Sequence, residues 1–127
     1  MKPENEISHK IVASAVEVHR ELGGPGLLES VYEEALVWEL SRQGLFVERQ
    51  VFLPICYKGQ NLGNPLRMDL VVENRIVVEC KATGQYHKVF ESQVLTYLRL
   101  SRLKLGLVIN FGETLVKNGI HRVVNGL

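Results

Sequence analysis

Apolar residues at Ile7, Ile11, Val12, Ala15, Val16, His19 and Leu22 recur at three- and four-residue steps. This spacing predicts one stripe along a helix from about Glu4 to Glu21. Gly23-Gly24-Pro25-Gly26 ends it. A second helical pattern runs from near Leu27 to about Gln43, with Leu28, Val31, Ala35 and Trp38 expected inward, Leu36 a further candidate, and Gly44 as the stop. From Phe46 the pattern changes to β-branched and aromatic residues without helical period, the mark of strands. Phe46 to Tyr57 reads as one strand with Pro54 as its point of interruption, followed by a turn-rich connection from Lys58 to Pro65. Two strands come next, Leu66 to Val72 and Ile76 to Lys81, joined around Glu73-Asn74-Arg75. Phe90, Val94, Leu95, Tyr97 and Leu98 mark a third helix from about Lys88 to Ser101. Leu105 to Phe111 reads as a buried strand and Ile120 to Val124 as a short last one, so the order is ααβββαβ(β) and the class α/β.

The chain has 127 residues and a mass of 14.4 kDa, which suits a single domain spanning 1–127, because cores divide only beyond about 250 residues. Its 46% hydrophobic and 23% charged residues are ordinary for a globular protein and argue against disorder. Apolar runs stay far below the roughly 20 residues of a membrane span, and the charged start, Met1 to Glu6, has no signal-peptide core, so a cytoplasmic location is expected. Cys56 and Cys80 are unpaired in sequence and read as two buried thiols. The net charge of +1 conceals polarity along the chain: residues 1–80 sum to −4 and residues 81–127 to +5, a distribution suited to meeting a polyanion.

The hairpin from Leu66 to Lys81 carries the chemistry. A three-residue loop, Glu73-Asn74-Arg75, sets Val72 against Ile76, Leu70 against Val78 and Met68 against Cys80, which makes one face wholly apolar. The opposite face then pairs Val71 with Val77, Asp69 with Glu79 and Arg67 with Lys81. A one-residue slip would mix the faces, so the two-residue strand period favours this register. Two carboxylates opposed on a sheet repel, and a divalent cation is one reason to tolerate that; the plain alternative is a solvated edge patch with an ordinary ion pair. Hard cations such as Mg²⁺ take one or two carboxylates plus waters and phosphate oxygens, and Lys81 sits where an ammonium can orient water or stabilise charge on phosphorus.

Gln93 and Tyr97, four residues apart, share a face of the third helix, whereas Glu91 reads as a solvent-facing carboxylate. Glu29 and Tyr32 stand one turn apart at the start of the second helix, where a carboxylate also complements the helix dipole. Arg99, Arg102 and Lys104 cluster at the end of the third helix and are candidates both for phosphate contact and for the same dipole effect. The four histidines lack zinc spacing, and the glycine-rich turn lacks the GK[ST] of a nucleotide cradle. Trp38 and Phe111 read as core residues.

Gly26-Leu27-Leu28-Glu29-Ser30-Val31-Tyr32 matches a GxxExxY signature, and Asp69 followed by Glu79-Cys80-Lys81 is similar to the D…ExK core of the PD-(D/E)XK nuclease superfamily. The chain resembles the small GxxExxY proteins of that superfamily over nearly its whole length. The resemblance implies a restriction-endonuclease-like core, a mixed β-sheet flanked by helices, with Asp69, Glu79 and Glu29 at a Mg²⁺ or Mn²⁺ ion and Lys81 as the catalytic lysine. Gln93 and Tyr97 resemble the QxxxY element of recombination-type exonucleases in the same superfamily. Met68 stands where the nominal motif has proline, a departure that leaves the aspartate's functional atoms untouched. The function so implied is metal-dependent hydrolysis of nucleic-acid phosphodiesters, DNA ahead of RNA; the short apolar runs argue against a membrane partner, and the limited footprint of so small a chain leaves room for a homodimer or larger complex. The alternative is a catalytically silent module that keeps the fold to bind nucleic acid or a protein.

Overall fold

A computed structural model describes residues 2–127. Two helices open the chain, α1 (Pro3–Glu21) and α2 (Glu29–Arg42). β1 (Val47–Leu53) follows, then a small antiparallel ribbon of β2 (Cys56–Tyr57) and β3 (Gln60–Asn61), then the hairpin β4 (Leu66–Val72) and β5 (Ile76–Lys81). α3 (Val89–Ser101) crosses to β6 (Leu105–Asn110), and a 3₁₀ turn (Val116–Gly119) leads into β7 (Ile120–Val124). The five long strands form a mixed sheet in the order β1-β4-β5-β6-β7, antiparallel except for β5 with β6. That parallel pair is the one that needs the helical crossover α3.

Strand alternation divides the core into two layers. Leu70, Val72, Ile76, Val78, Cys80, Leu107 and Ile109 face α1 and α2, packing with Ile11, Ala15, Tyr32, Leu36 and Leu40. Val71, Val77 and Val108 face α3, packing with Val94 and Leu98. A Cβ on Gly106 would run into Val94, so the glycine lets α3 lie directly on β6. β5 and β6 are covered on both faces, which accounts for their unbroken apolar character.

Three expectations about packing are corrected. α2 turns Tyr32, Leu36 and Leu40 inward and leaves Leu28, Val31 and Trp38 exposed, Trp38 by 56%. The helix carries two apolar stripes, and packing against α1 and the sheet selects the one that includes Tyr32. Tyr32 stacks flat on the buried Phe111, with ring centroids 4.7 Å apart. Its hydroxyl donates to the Gly24 carbonyl at 2.7 Å and accepts from the Leu27 amide at 3.2 Å, tying down the glycine-rich turn. Cys80 is buried as expected, but Cys56 is exposed, because the segment after Pro54 leaves the main sheet to form the ribbon.

The third correction bears on the site. β1 and β4 keep one register from Val47↔Val72 to Leu53↔Leu66, yet both change the side on which their residues point at the same step. Val47 and Leu70 belong to the α1/α2 layer, whereas Val51, Leu53 and Met68 belong to the α3 layer. Gln50 takes a left-handed backbone (φ 51°) at this step, and Asp69 lies between its two β1 pairings, Arg49↔Leu70 and Val51↔Met68. Met68 therefore does not share a face with Cys80, and Arg67 turns to the α2 side of the sheet, away from the expected place beside Lys81.

Candidate functional site at the open end of the central hairpin

The β4–β5 ladder runs Val72↔Ile76, Val71↔Val77 and Leu70↔Val78, the register predicted from alternation. One step further the strands are joined by side chains. The Asp69 amide donates to Glu79 Oε1 at 3.0 Å, and the Cys80 amide donates to Asp69 Oδ2 at 2.9 Å. Each carboxylate thus takes over a backbone donor of the facing strand and lies in the gap between the strands. The second oxygens, Asp69 Oδ1 and Glu79 Oε2, have no hydrogen bond among the described residues.

Glu79 is only 6% exposed. Burial pushes its carboxyl up to about 8, the negative charge of Asp69 adds to the rise, and the Asp69 amide and Lys81 oppose it. Two carboxylates in a half-dry gap therefore hold a proton, unless a cation arrives to replace it. Lys81, half-buried at the end of β5, rests its ammonium over the Phe90 ring, 4.6 Å from the centroid.

Around this centre the other candidates divide. Glu29, the first residue of α2, lines a cleft of about 360 Å³ with Leu28, Ser30, Glu33, Gln50, Arg67 and Asp69. It is exposed, yet desolvation raises its carboxyl, with Lys81 acting against the rise and Asp69 and Glu33 adding to it. Tyr97 lies on the α3 side, its phenol raised first by burial and then by Glu79 and Asp69. Gln93 is exposed and makes no hydrogen bond among the described residues. Asp69, Glu79, Lys81, Glu29 and Tyr97 thus share one electrostatic neighbourhood.

Arg99, Arg102 and Lys104 do not join them. Parallel pairing sets Ile76 beside Leu105 and Lys81 beside Asn110, so Lys104 lies at the opposite end of β5 from Lys81. At roughly 3.3 Å per residue, five steps of strand separate the two ends by about 16 Å. Arg102 and Lys104 line a different cleft with Glu4 and Arg75. Glu91 is also not free in solvent: it accepts from the Tyr86 hydroxyl at 3.0 Å, and Tyr86 stacks on His121.

Three polar residues near the centre escaped the sequence reading. Glu33 is buried and held by Arg49 (3.0 Å) and by Gln50 (3.0 Å), and its only sequence signal is the four-residue step from Glu29. Gln50 gives no local sign of its left-handed backbone. Buried Asn110 accepts from the amides of Thr83 and Gly112 and donates to the Thr83 carbonyl, which fixes the loop leaving Lys81. A Cβ on Gly112 would enter the backbone of Thr83, so these loops meet only through glycine.

Two facing carboxylates, each with one oxygen free, a lysine on the next outward position and a phenol nearby can bind a hard cation and an anionic ester against it. Among the described residues no group of three or more His, Cys, Asp or Glu side chains converges to hold a metal ion. Two protein oxygens are nonetheless what a magnesium-like ion takes when water and phosphate complete its shell, so the donor set fits. A family model of the PD-(D/E)XK nuclease superfamily matches residues 5–123, and the chain belongs to that superfamily. Neither a curated protein nor a solved structure matches the chain. Membership points to nuclease activity, to nucleic acid as the substrate and to divalent metals such as Mg²⁺ as the usual cofactor. No helix among the described residues is long and apolar enough to cross a membrane.

Proposed function

We propose that this chain is a nuclease of the GxxExxY kind that uses Mg²⁺ or Mn²⁺ to hydrolyse nucleic-acid phosphodiesters, DNA ahead of RNA. The observation that carries the reading is the pair Asp69 and Glu79, each pinned by a backbone amide of the facing strand and each keeping one oxygen free, in a gap whose burial raises the Glu79 carboxyl. In this reading Asp69 Oδ1 and Glu79 Oε2 hold the ion, with Glu29 reaching it through water. The ion supplies Lewis acidity toward the phosphodiester and toward water. Lys81 leaves the Phe90 face to pair with the scissile phosphate and stabilises the charge that builds on it. Tyr97 donates a hydrogen bond to a phosphate oxygen, its raised phenol keeping the proton through neutral pH. Gln93, one turn earlier on α3, orients water or phosphate with its amide.

Titration of Mn²⁺ and Mg²⁺ by calorimetry into the wild type, Glu79→Ala and Lys81→Ala, followed by incubation with labelled DNA and RNA, tests this. Metal binding lost in Glu79→Ala but kept in Lys81→Ala, with cleavage lost in both, is the expected result. A wild type that binds neither metal at millimolar concentration and cleaves nothing would overturn it in favour of a silent module.

A further inference from the structure

The phase change at Gln50 and Asp69 sends two neighbouring side chains out over the α2 side of the sheet. Phe52 and Arg67 are directly paired across β1 and β4 and so lie side by side on one face. Phe52 is 66% exposed, a large apolar ring mostly in solvent. Arg67 is exposed, forms no ion pair among the described residues, and is the one cation lining the cleft that contains Asp69 and Glu29. Leu28, 74% exposed, forms the opposite lip on α2. An exposed ring beside an unpaired guanidinium, opening into a carboxylate cleft, has the chemistry of a nucleotide seat. The ring takes a base face, the guanidinium takes a phosphate, and the strand continues into the cleft that Arg67 and Asp69 line together.

We infer that Phe52, Arg67 and Leu28 form a subsite for an unpaired strand of nucleic acid, so that the substrate is single-stranded where it enters the cleft. The inference rests on the nuclease reading above and adds the strandedness of the substrate. A duplex hides its base faces in the stack and gives Phe52 nothing to lie on, while an unpaired strand of either sugar offers a base at every step. The subsite also accounts for an arrangement that folding alone leaves unexplained. The irregular step at Gln50 and Asp69 brings an aromatic ring and an arginine into solvent where unbroken alternation would have turned them toward α3.

Fluorescence anisotropy with one labelled oligonucleotide as single-stranded DNA, as single-stranded RNA and as duplex DNA, in Ca²⁺ to hold the metal site without turnover, provides the test. Single strands are expected to bind at least about tenfold tighter than the duplex, and the two single-stranded arms tell DNA from RNA. Phe52→Ala is expected to weaken single-strand binding by about 5- to 150-fold, the worth of one base stacked on an aromatic ring, with Phe52→Tyr restoring it. Arg67→Ala weakens single-strand binding and lowers the salt slope by about 0.7, the share of one phosphate contact on a single strand. Lys10→Ala, on the outer side of α1, serves as the control. Both Phe52 and Arg67 are exposed, and circular dichroism confirms that each variant is folded. Duplex bound as tightly as single strands, or Phe52→Ala without effect, would overturn the subsite while leaving metal binding and cleavage to judge the nuclease reading. Absence of all binding alongside intact metal binding overturns the subsite as well.

Discussion

The two ends of the β4–β5 hairpin are built from the same strands and solve the same hydrogen-bonding problem differently. At the closed end, Val72, Ile76, Val71, Val77, Leu70 and Val78 pair through their backbones and bury apolar side chains on both faces. At the open end, the Asp69 and Glu79 carboxylates replace backbone carbonyls as the acceptors for Asp69 and Cys80 amides. The closed end is satisfied by backbone pairing and by apolar packing against the helices on both faces. The open end satisfies its backbone amides but sets two carboxyls against each other in a buried gap, and their repulsion, eased by a proton, is what suits it to a cation. Because the carboxylates are also the rungs of the ladder, their positions are fixed by the sheet and not by flexible side-chain geometry.

Breaking the closed end has the largest effect on folding. Leu70 is fully buried, and Leu70→Ala is expected to cost about 2–5 kcal/mol in chemical denaturation, with metal affinity of the folded protein little changed. The open end is distinguished next by pH. The Glu79 carboxyl is raised in the folded state, so between about 4.5 and 8 the native protein retains a proton that the unfolded chain has lost. Metal-free stability therefore falls as pH rises through this window, by up to about 1.4 kcal/mol per pH unit. Glu79→Gln, which keeps an acceptor for the Asp69 amide, should flatten that slope in denaturation curves measured across the window. In the proposed role Mg²⁺ would compete with the same proton, so its affinity by calorimetry should climb toward pH 8; a pH-independent affinity would detach the metal from Glu79.

Asp69 separates structure from charge. Asp69→Ala orphans the Cys80 amide and is expected to cost about 1–3 kcal/mol, whereas Asp69→Asn keeps an acceptor and recovers most of that loss while still abolishing metal binding. Equal destabilisation by the two would mean that the charge, and not the hydrogen bond, holds the strands together. The smallest effect belongs to the tip of the closed end, where Arg75 pairs with Glu4 at 3.3 Å and is half exposed. Arg75→Ala should change stability by less than about 1 kcal/mol, and less again in high salt.

Much of this comparison was legible in the chain. The hairpin register follows from a three-residue loop and two clean alternations, and Asp69 and Glu79 do meet across it. His19, placed on the α1 stripe, is buried and its Nε2 bonds with the Phe111 carbonyl at 3.1 Å. Legibility ended where two elements compete for one surface. Leu28, Val31, Ala35 and Trp38 form as good a helical stripe as Tyr32, Leu36 and Leu40, and nothing local ranks them. The aromatic stack of Tyr32 on Phe111, residues 79 positions apart in sequence, makes the choice. Likewise the basic trio at Arg99, Arg102 and Lys104 is compact in sequence, but parallel pairing of β5 with β6 carries it to the end of the sheet remote from Lys81.

The order of the three helices and five long strands, the pairing of β4 with β5 and the opposition of two carboxylates follow from the chain alone, because period and loop length act over a few residues and the covalent chain enforces them; the β2–β3 ribbon does not. Which stripe of α2 is buried, which way Met68 and Arg67 point beyond the kink, and that Arg49 and Gln50 hold Glu33 beside the cleft that Asp69 lines, were settled by the assembled core. Those outcomes depend on contacts between distant segments, whose energies are comparable for several arrangements until the whole core is assembled.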